Sequence, residues 1–116
     1  MRVAITGASA ILGSHLLKTA TKGDVVEGFY HNHRQEGIAN SDLTDAAFTY
    51  SLFKGQKPDT IIHCAGNGLV DFSEKEPEKA RQINLQATIN VMAAATELKA
   101  HFVYISSNAV YSGENP

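Results

Sequence analysis

The chain has 116 residues, 43% of them hydrophobic and 19% charged, with a formal net charge of −2. That balance is ordinary for a water-soluble globular domain and excludes the basic stripe of a nucleic-acid binder. No apolar run approaches the ~20 residues needed to cross a bilayer, and the N-terminus has no signal-peptide core.

A single cysteine, Cys64, leaves no internal disulfide, so the cytoplasm is the expected location. No linker, repeat or low-complexity tract interrupts the chain, and residues 1–116 read as one domain.

Arg2-Val3-Ala4-Ile5-Thr6 is a short apolar run ending at Gly7, as expected of a buried parallel strand. Ile11, Leu12, His15, Leu16 and Thr19 then recur at helical spacing, with Gly23 as the expected cap. Val25 to Tyr30 predicts a second strand, rich in β-branched and aromatic residues. A loose polar stretch follows, and Asp45 or Thr44 caps a second helix carrying Ala46, Phe48, Leu52 and Phe53 before Gly55.

Asp59-Thr60-Ile61-Ile62-His63-Cys64 predicts a third strand, closing at Ala65-Gly66. Ser73-x-x-Glu76 resembles a capping box ahead of one long helix from Pro77. Ala80, Ile83, Ala87, Val91, Ala94 and Leu98 form its apolar stripe. His101 to Ser106 predicts a fourth strand. The β-α-β-α-β-α-β order implies an α/β doubly wound parallel sheet of Rossmann type, with ligands beyond the carboxyl ends of its strands.

The residues at those ends are informative. Thr6-Gly7-Ala8-Ser9-Ala10-Ile11-Leu12-Gly13 joins the first strand to the first helix. Gly7 allows the sharp turn, a small residue at position 10 lets backbone approach a pyrophosphate, and Gly13 allows close helix–strand packing. The N–H groups opening the helix, from Ser9 to Gly13, suit an anion. The second strand runs into His31, His33 and Arg34 with no acidic residue at its tip. An acid there holds the ribose of NAD, whereas an Arg accommodates the 2′-phosphate of NADP. NADP(H) is therefore favoured, with Arg34 and His31 on the phosphate, and NAD(H) stays open.

Taken together, the glycine loop, the Asp59–Gly66 strand exit, Glu76-Pro77 with Asn84, and Val103-Tyr104-Ile105-Ser106-Ser107-Asn108-Ala109-Val110-Tyr111-Ser112-Gly113 resemble extended short-chain dehydrogenases/reductases. That is the NAD(P)-dependent epimerase/dehydratase group. The short stretch before Asp42-Leu43-Thr44-Asp45 is most similar to its dTDP-4-dehydrorhamnose reductase-like branch. Ala10 departs from the family signature, which has glycine there.

The resemblance implies that Asp42 and Leu43 contact the adenine, that Cys64, Ala65 and Gly66 line the nicotinamide ribose, and that Ser107 is the catalytic hydroxyl, with Ser106 beside it. Asn84 is read as a brace or a cofactor anchor, and the brace is favoured. Tyr111 is read as packing, Cys64 as an inert hydrophobe, and the histidines as holding no metal.

The resemblance also implies a nucleotide-linked keto-sugar substrate, reduced with NADPH or, alternatively, epimerised or dehydrated. It allows a homodimer, and equally a non-catalytic nucleotide-binding subunit. The family's Tyr-x-x-x-Lys pair belongs downstream of Pro116. Tyr50 and Lys54 match that spacing only by chance, as helical neighbours.

Overall fold

Strand formation follows the β-branched and apolar runs. In a computed structural model describing residues 1–30, 36–37 and 39–114, β1 spans Arg2–Thr6, β2 Val25–Tyr30, β3 Ala39–Asn40, β4 Thr60–His63 and β5 His101–Tyr104. They form one five-stranded sheet in the order β3-β2-β1-β4-β5, and every pairing is parallel. The fold is the doubly wound α/β type expected from the sequence, with one strand more. The two-residue β3 is too short to leave a periodic signal.

Chirality then places the helices. From β1 the chain steps outward through α1 (Ile11–Lys18) to β2. From β3 it returns through α2 (Ala46–Gln56) across β1 to β4, and continues through the later helices to β5. Right-handed crossovers in opposite directions put α1 on one face, and α2 and the final helix on the other. The main core lies on the second face, where Ala4, Phe29 and Ile61 of the sheet meet Phe53 of α2 and Val91 and Ala94. Phe29 and Phe53 meet edge to face with ring centroids 5.9 Å apart.

Several helix boundaries differ from expectation. The first helix stops at Lys18 with Thr19 as its cap, and Gly23 sits beyond it in a turn at φ +101°. Its inward side is Gly13 with the half-buried Leu16 and Leu17, while Ile11 is 83% exposed. Close packing at Gly13 sets that rotation. Asp45, not Thr44, caps α2, its carboxylate accepting from the Phe48 amide at 2.8 Å. The α2 helix ends on the left-handed Lys57, past Gly55, and buries Thr49 and Phe53 while Phe48 is exposed.

The expected long helix from Pro77 forms without a break, as α4 (Pro77–Arg81), a π turn (Gln82–Gln86) and α5 (Ala87–Leu98), and an unexpected short helix, α3 (Val70–Lys75), precedes it. Ser73 lies inside α3 and its hydroxyl donates to Leu69 O at 3.2 Å, so the capping box does not form. Pro77 does open a helix, α4. The fourth predicted strand closes at Tyr104, two residues early.

Candidate functional site

Strand order reverses between β1 and β4, and in open α/β sheets that reversal opens a crevice beyond the carboxyl ends. A cavity of about 340 Å³ lies there. Its lining comes from three connections: Gly7, Ser9 and Ala10 after β1; Ser41 to Thr44 after β3; and Cys64 to Leu69 after β4. Ile83 and Ala87 close it from the helix side.

Two glycines are sterically required. Gly7 has φ +67°, and a Cβ there would lie 2.7 Å from Ala65 N and 2.8 Å from Cys64 C. A Cβ on Gly13 would lie 2.3 Å from Gly7 O. The loop is thus pressed against both the β4 exit and its own helix.

Ala10 stands at φ −84°, ψ 172°, an extended conformation open to any residue, so the loss of the family's middle glycine causes no backbone strain. Its amide donates to Gly7 O at 3.1 Å, and the first helical bond runs from Ser14 N to Ala10 O at 2.9 Å. The amides of Ile11, Leu12 and Gly13 precede that bond and have no acceptor within the helix. A small group with an anionic part fits such a cradle.

Two asparagines fix the cavity walls. Asn84, in the π turn, accepts from Asn67 N at 2.7 Å and donates to Asn67 O at 2.9 Å. It is therefore a brace for the 64–68 loop, in keeping with the favoured reading. Asn90 on α5 donates to Leu43 O at 2.9 Å and Thr44 O at 3.1 Å, and its own oxygen accepts from Gln86. Asp42 is exposed at the rim, where its carboxylate accepts from the Thr44 amide and hydroxyl at 3.0 and 2.6 Å.

Beneath the floor lies a buried polar chain. Thr6 Oγ1 accepts from the Ala65 amide at 3.2 Å and lies 2.7 Å from His63 Nδ1. His63 Nε2 lies 3.0 Å from Thr88 Oγ1, whose hydroxyl donates to Asn84 O at 2.8 Å. His63 is fully buried, with the rings of Phe102 and Tyr104 alongside at 6.2 and 6.1 Å. Desolvation lowers its pKa from 6.5 to about 4, so the ring is neutral at pH 7. Partial burial raises the Cys64 thiol above its ordinary range, which suits an unreactive lining residue.

Of the residues singled out in the sequence, Gly7, Ser9, Ala10, Asp42, Leu43, Cys64, Ala65 and Gly66 meet at this cavity, and Ile11, Leu12 and Gly13 open the adjoining helix. Ser106 and Ser107 follow β5 and are exposed outside the lining. Ser107 Oγ caps a short 3₁₀ turn, Asn108–Val110, accepting from Ala109 N at 3.2 Å. Backbone capping of that turn thus falls to Ser107.

Tyr111 is 79% exposed and does not pack as expected, because no described element covers the segment after β5. Tyr50 and Lys54 lie on α2 with the ammonium 5.6 Å from the ring centroid, as a helical pair. His31, His33 and Arg34 lie outside the described residues.

Sequence reasoning missed Thr6, His63 and Thr88. The available signal was a histidine inside an apolar strand, which must find partners when buried. Among the described residues no group of His, Cys, Asp and Glu is placed to hold a metal ion, and no helix is long and apolar enough to cross a membrane.

Comparison with known proteins fixes the family. The sequence matches the RmlD substrate binding domain family over residues 1–116. This chain belongs to that family.

A hypothetical dTDP-4-dehydrorhamnose reductase from Sulfolobus tokodaii superposes with a TM-score of 0.91 at 34% identity, over 99% of this chain and 42% of that one. The Bacillus anthracis dTDP-4-dehydrorhamnose reductase, solved in complex with NADP, gives 0.86 at 32% identity, over 99% of this chain and 39% of that one. Methionine adenosyltransferase 2 subunit beta of Xenopus tropicalis is 33% identical over 116 residues, 99% of this chain and 35% of that protein. The chain thus spans about a third of the length of that relative. The resemblance to extended short-chain dehydrogenases/reductases holds, in the branch expected.

Proposed function

We propose that this chain is the nicotinamide-nucleotide-binding portion of a reductase acting on a nucleotide-linked keto-sugar. The observation that carries the reading is the cavity at the sheet's reversal point, where Gly7 and Gly13 leave no room for a Cβ. In this reading the amides of Ile11, Leu12 and Gly13 hold the pyrophosphate, with Ser9 and Ala10 beside it. Asp42 and Leu43 take the adenine end. Cys64, Ala65 and Gly66 lie under the nicotinamide ribose, held in place by Asn84.

When bound, the nicotinamide nucleotide supplies a hydride. Ser107 donates its hydroxyl hydrogen, which its bond to Ala109 does not use, to the substrate oxygen and stabilises charge developing there; Ser106 lies alongside. The substrate's sugar end, a Tyr/Lys pair for proton transfer and a homodimer belong to the same proposal, as does a cytoplasmic location. NADP(H) is the preferred cofactor because Arg34 and His31, with no acid beside them, suit a 2′-phosphate. The complex of the B. anthracis reductase with NADP supports a nicotinamide cofactor in this family.

A second reading is favoured by one observation. The similarity to methionine adenosyltransferase 2 subunit beta fits a nucleotide-binding subunit that serves another enzyme without hydride chemistry of its own.

A fluorescence titration with NADPH and NADH tests the site. Saturable NADPH binding, tighter than NADH and weakened by Arg34→Ala, is expected. Tighter NADH binding overturns the cofactor preference, and binding of neither overturns the nucleotide site. Oxidation of NADPH by a dTDP-linked keto-sugar, assayed on a protein that also carries the Tyr/Lys pair, separates the two readings.

A further inference from the structure

The buried chain beneath the floor has a direction that hydrogen counting determines. A threonine hydroxyl has one hydrogen to give. Thr88 gives its hydrogen to Asn84 O, so at 3.0 Å from the imidazole its oxygen must accept, and His63 Nε2 must carry a proton. Nδ1 of the neutral ring is then an acceptor. Thr6, whose oxygen already accepts from the Ala65 amide, gives its hydrogen to Nδ1 at 2.7 Å.

Every donor and acceptor in the chain is used once and in one sense: Ala65 N–H to Thr6, Thr6 to His63, His63 to Thr88, Thr88 to Asn84 O. Its two ends are the two supports of the floor. One is the Ala65 amide, and the other is the residue whose side chain grips Asn67 on both backbone groups. Oriented chains of this kind stabilise by mutual polarisation and lose their value when one member is removed.

We propose that His63, as the Nε2–H tautomer, and Thr88 are positioning residues of the nucleotide pocket, setting the height and angle of Ala65–Asn67 from below. Neither lines the cavity; both act through Thr6 and Asn84. The effect on affinity rests on the nucleotide-binding reading above, whereas the effect on the loop does not.

The test uses the protein with Thr88→Val, which keeps the shape and removes the hydroxyl, and Thr88→Ser, which keeps the hydroxyl. Amide hydrogen exchange at Ala65 and Asn67 is expected to speed up about tenfold in Thr88→Val, from the loss of one hydrogen bond's worth of local stability. Exchange at Ile5 and Ile62 is expected to stay unchanged, with Thr88→Ser close to the parent protein. NADPH and NADH affinities should fall by a similar factor in Thr88→Val and recover in Thr88→Ser.

Unchanged exchange at Ala65 and Asn67, or acceleration spread evenly over the sheet, overturns the proposal. So does tight nucleotide binding that persists while the loop amides loosen. If the parent protein binds neither nucleotide, the binding reading fails and exchange alone decides the positioning role. Nitrogen-15 NMR of the imidazole needs no variant: an Nε2–H tautomer supports the chain's direction, and an Nδ1–H tautomer overturns it.

Discussion

A histidine buried in a parallel strand trades solvation for two hydrogen bonds, and the trade holds only while the ring is neutral. Burial moves the His63 pKa from 6.5 to about 4. The unfolded chain therefore binds a proton at pH values where the folded one does not, and stability rises with pH across that window. The contribution is complete above pH 6.5 and is lost progressively as pH falls towards 4. The separation between the two pKa values corresponds to about 3 kcal/mol.

Denaturant unfolding between pH 7 and 4 should show that loss in the parent protein, superimposed on the carboxylate titrations. In His63→Gln the component between pH 6.5 and 4 should be absent, at the cost of lower stability at pH 7. An unaltered pH dependence in the variant would show that the ring does not titrate against folding. The residue was visible in the sequence, yet its role was not. Its partners Thr6 and Thr88 lie 57 and 25 positions away, and only the β1–β4 pairing and the turn of the helix bring them together.

At the scale of elements, the fold was legible wherever a segment's own residues decide its conformation. Val25–Tyr30 and Arg2–Thr6 are dense in apolar and β-branched residues, and their boundaries coincide with the structure. Asp45 announces α2 by its capping chemistry. The helix from Pro77 to Leu98 was legible from its apolar stripe, whereas α3 buries no residue and so left no such stripe. The π turn at Gln82–Gln86 absorbs an extra residue without disturbing the apolar stripe, so periodicity alone reads through it. Its value is positional, since it carries the Asn84 brace.

Asn90 gives the matching test on α5. Its amide serves two backbone carbonyls, Leu43 O and Thr44 O, in a buried setting. Asn90→Ala removes both donors and should cost about 2 kcal/mol, read as a lower denaturant midpoint with an unchanged slope. Asp45→Ala, a single exposed cap, should cost about 1 kcal/mol. Equal losses would mean that the 43–44 wall gains nothing special from α5.

For the molecule as a whole, the cavity depends on all three connections being in place together, after β1, after β3 and after β4. The unfolded chain holds none of them near the others. Anything that fills the cavity therefore binds the folded state alone and stabilises it by mass action. At a hundredfold excess over its dissociation constant, NADPH should add about 2.7 kcal/mol. For a chain of this size that corresponds to a rise in melting temperature of about 10 °C.

Gly13→Ala provides the internal control. The added methyl meets Gly7 O at 2.3 Å, so the glycine loop must shift from the helix. The variant should melt lower and also lose most of the NADPH-induced rise. Scanning calorimetry with and without nucleotide distinguishes these effects. A lower melting temperature with the full rise retained would place the nucleotide away from the glycine loop. A rise with NADH but not NADPH would keep the cavity and reverse the cofactor preference. No rise with either would remove the nucleotide reading while leaving the parallel sheet and the family assignment as they stand, because those rest on the strand pairings and the sequence match.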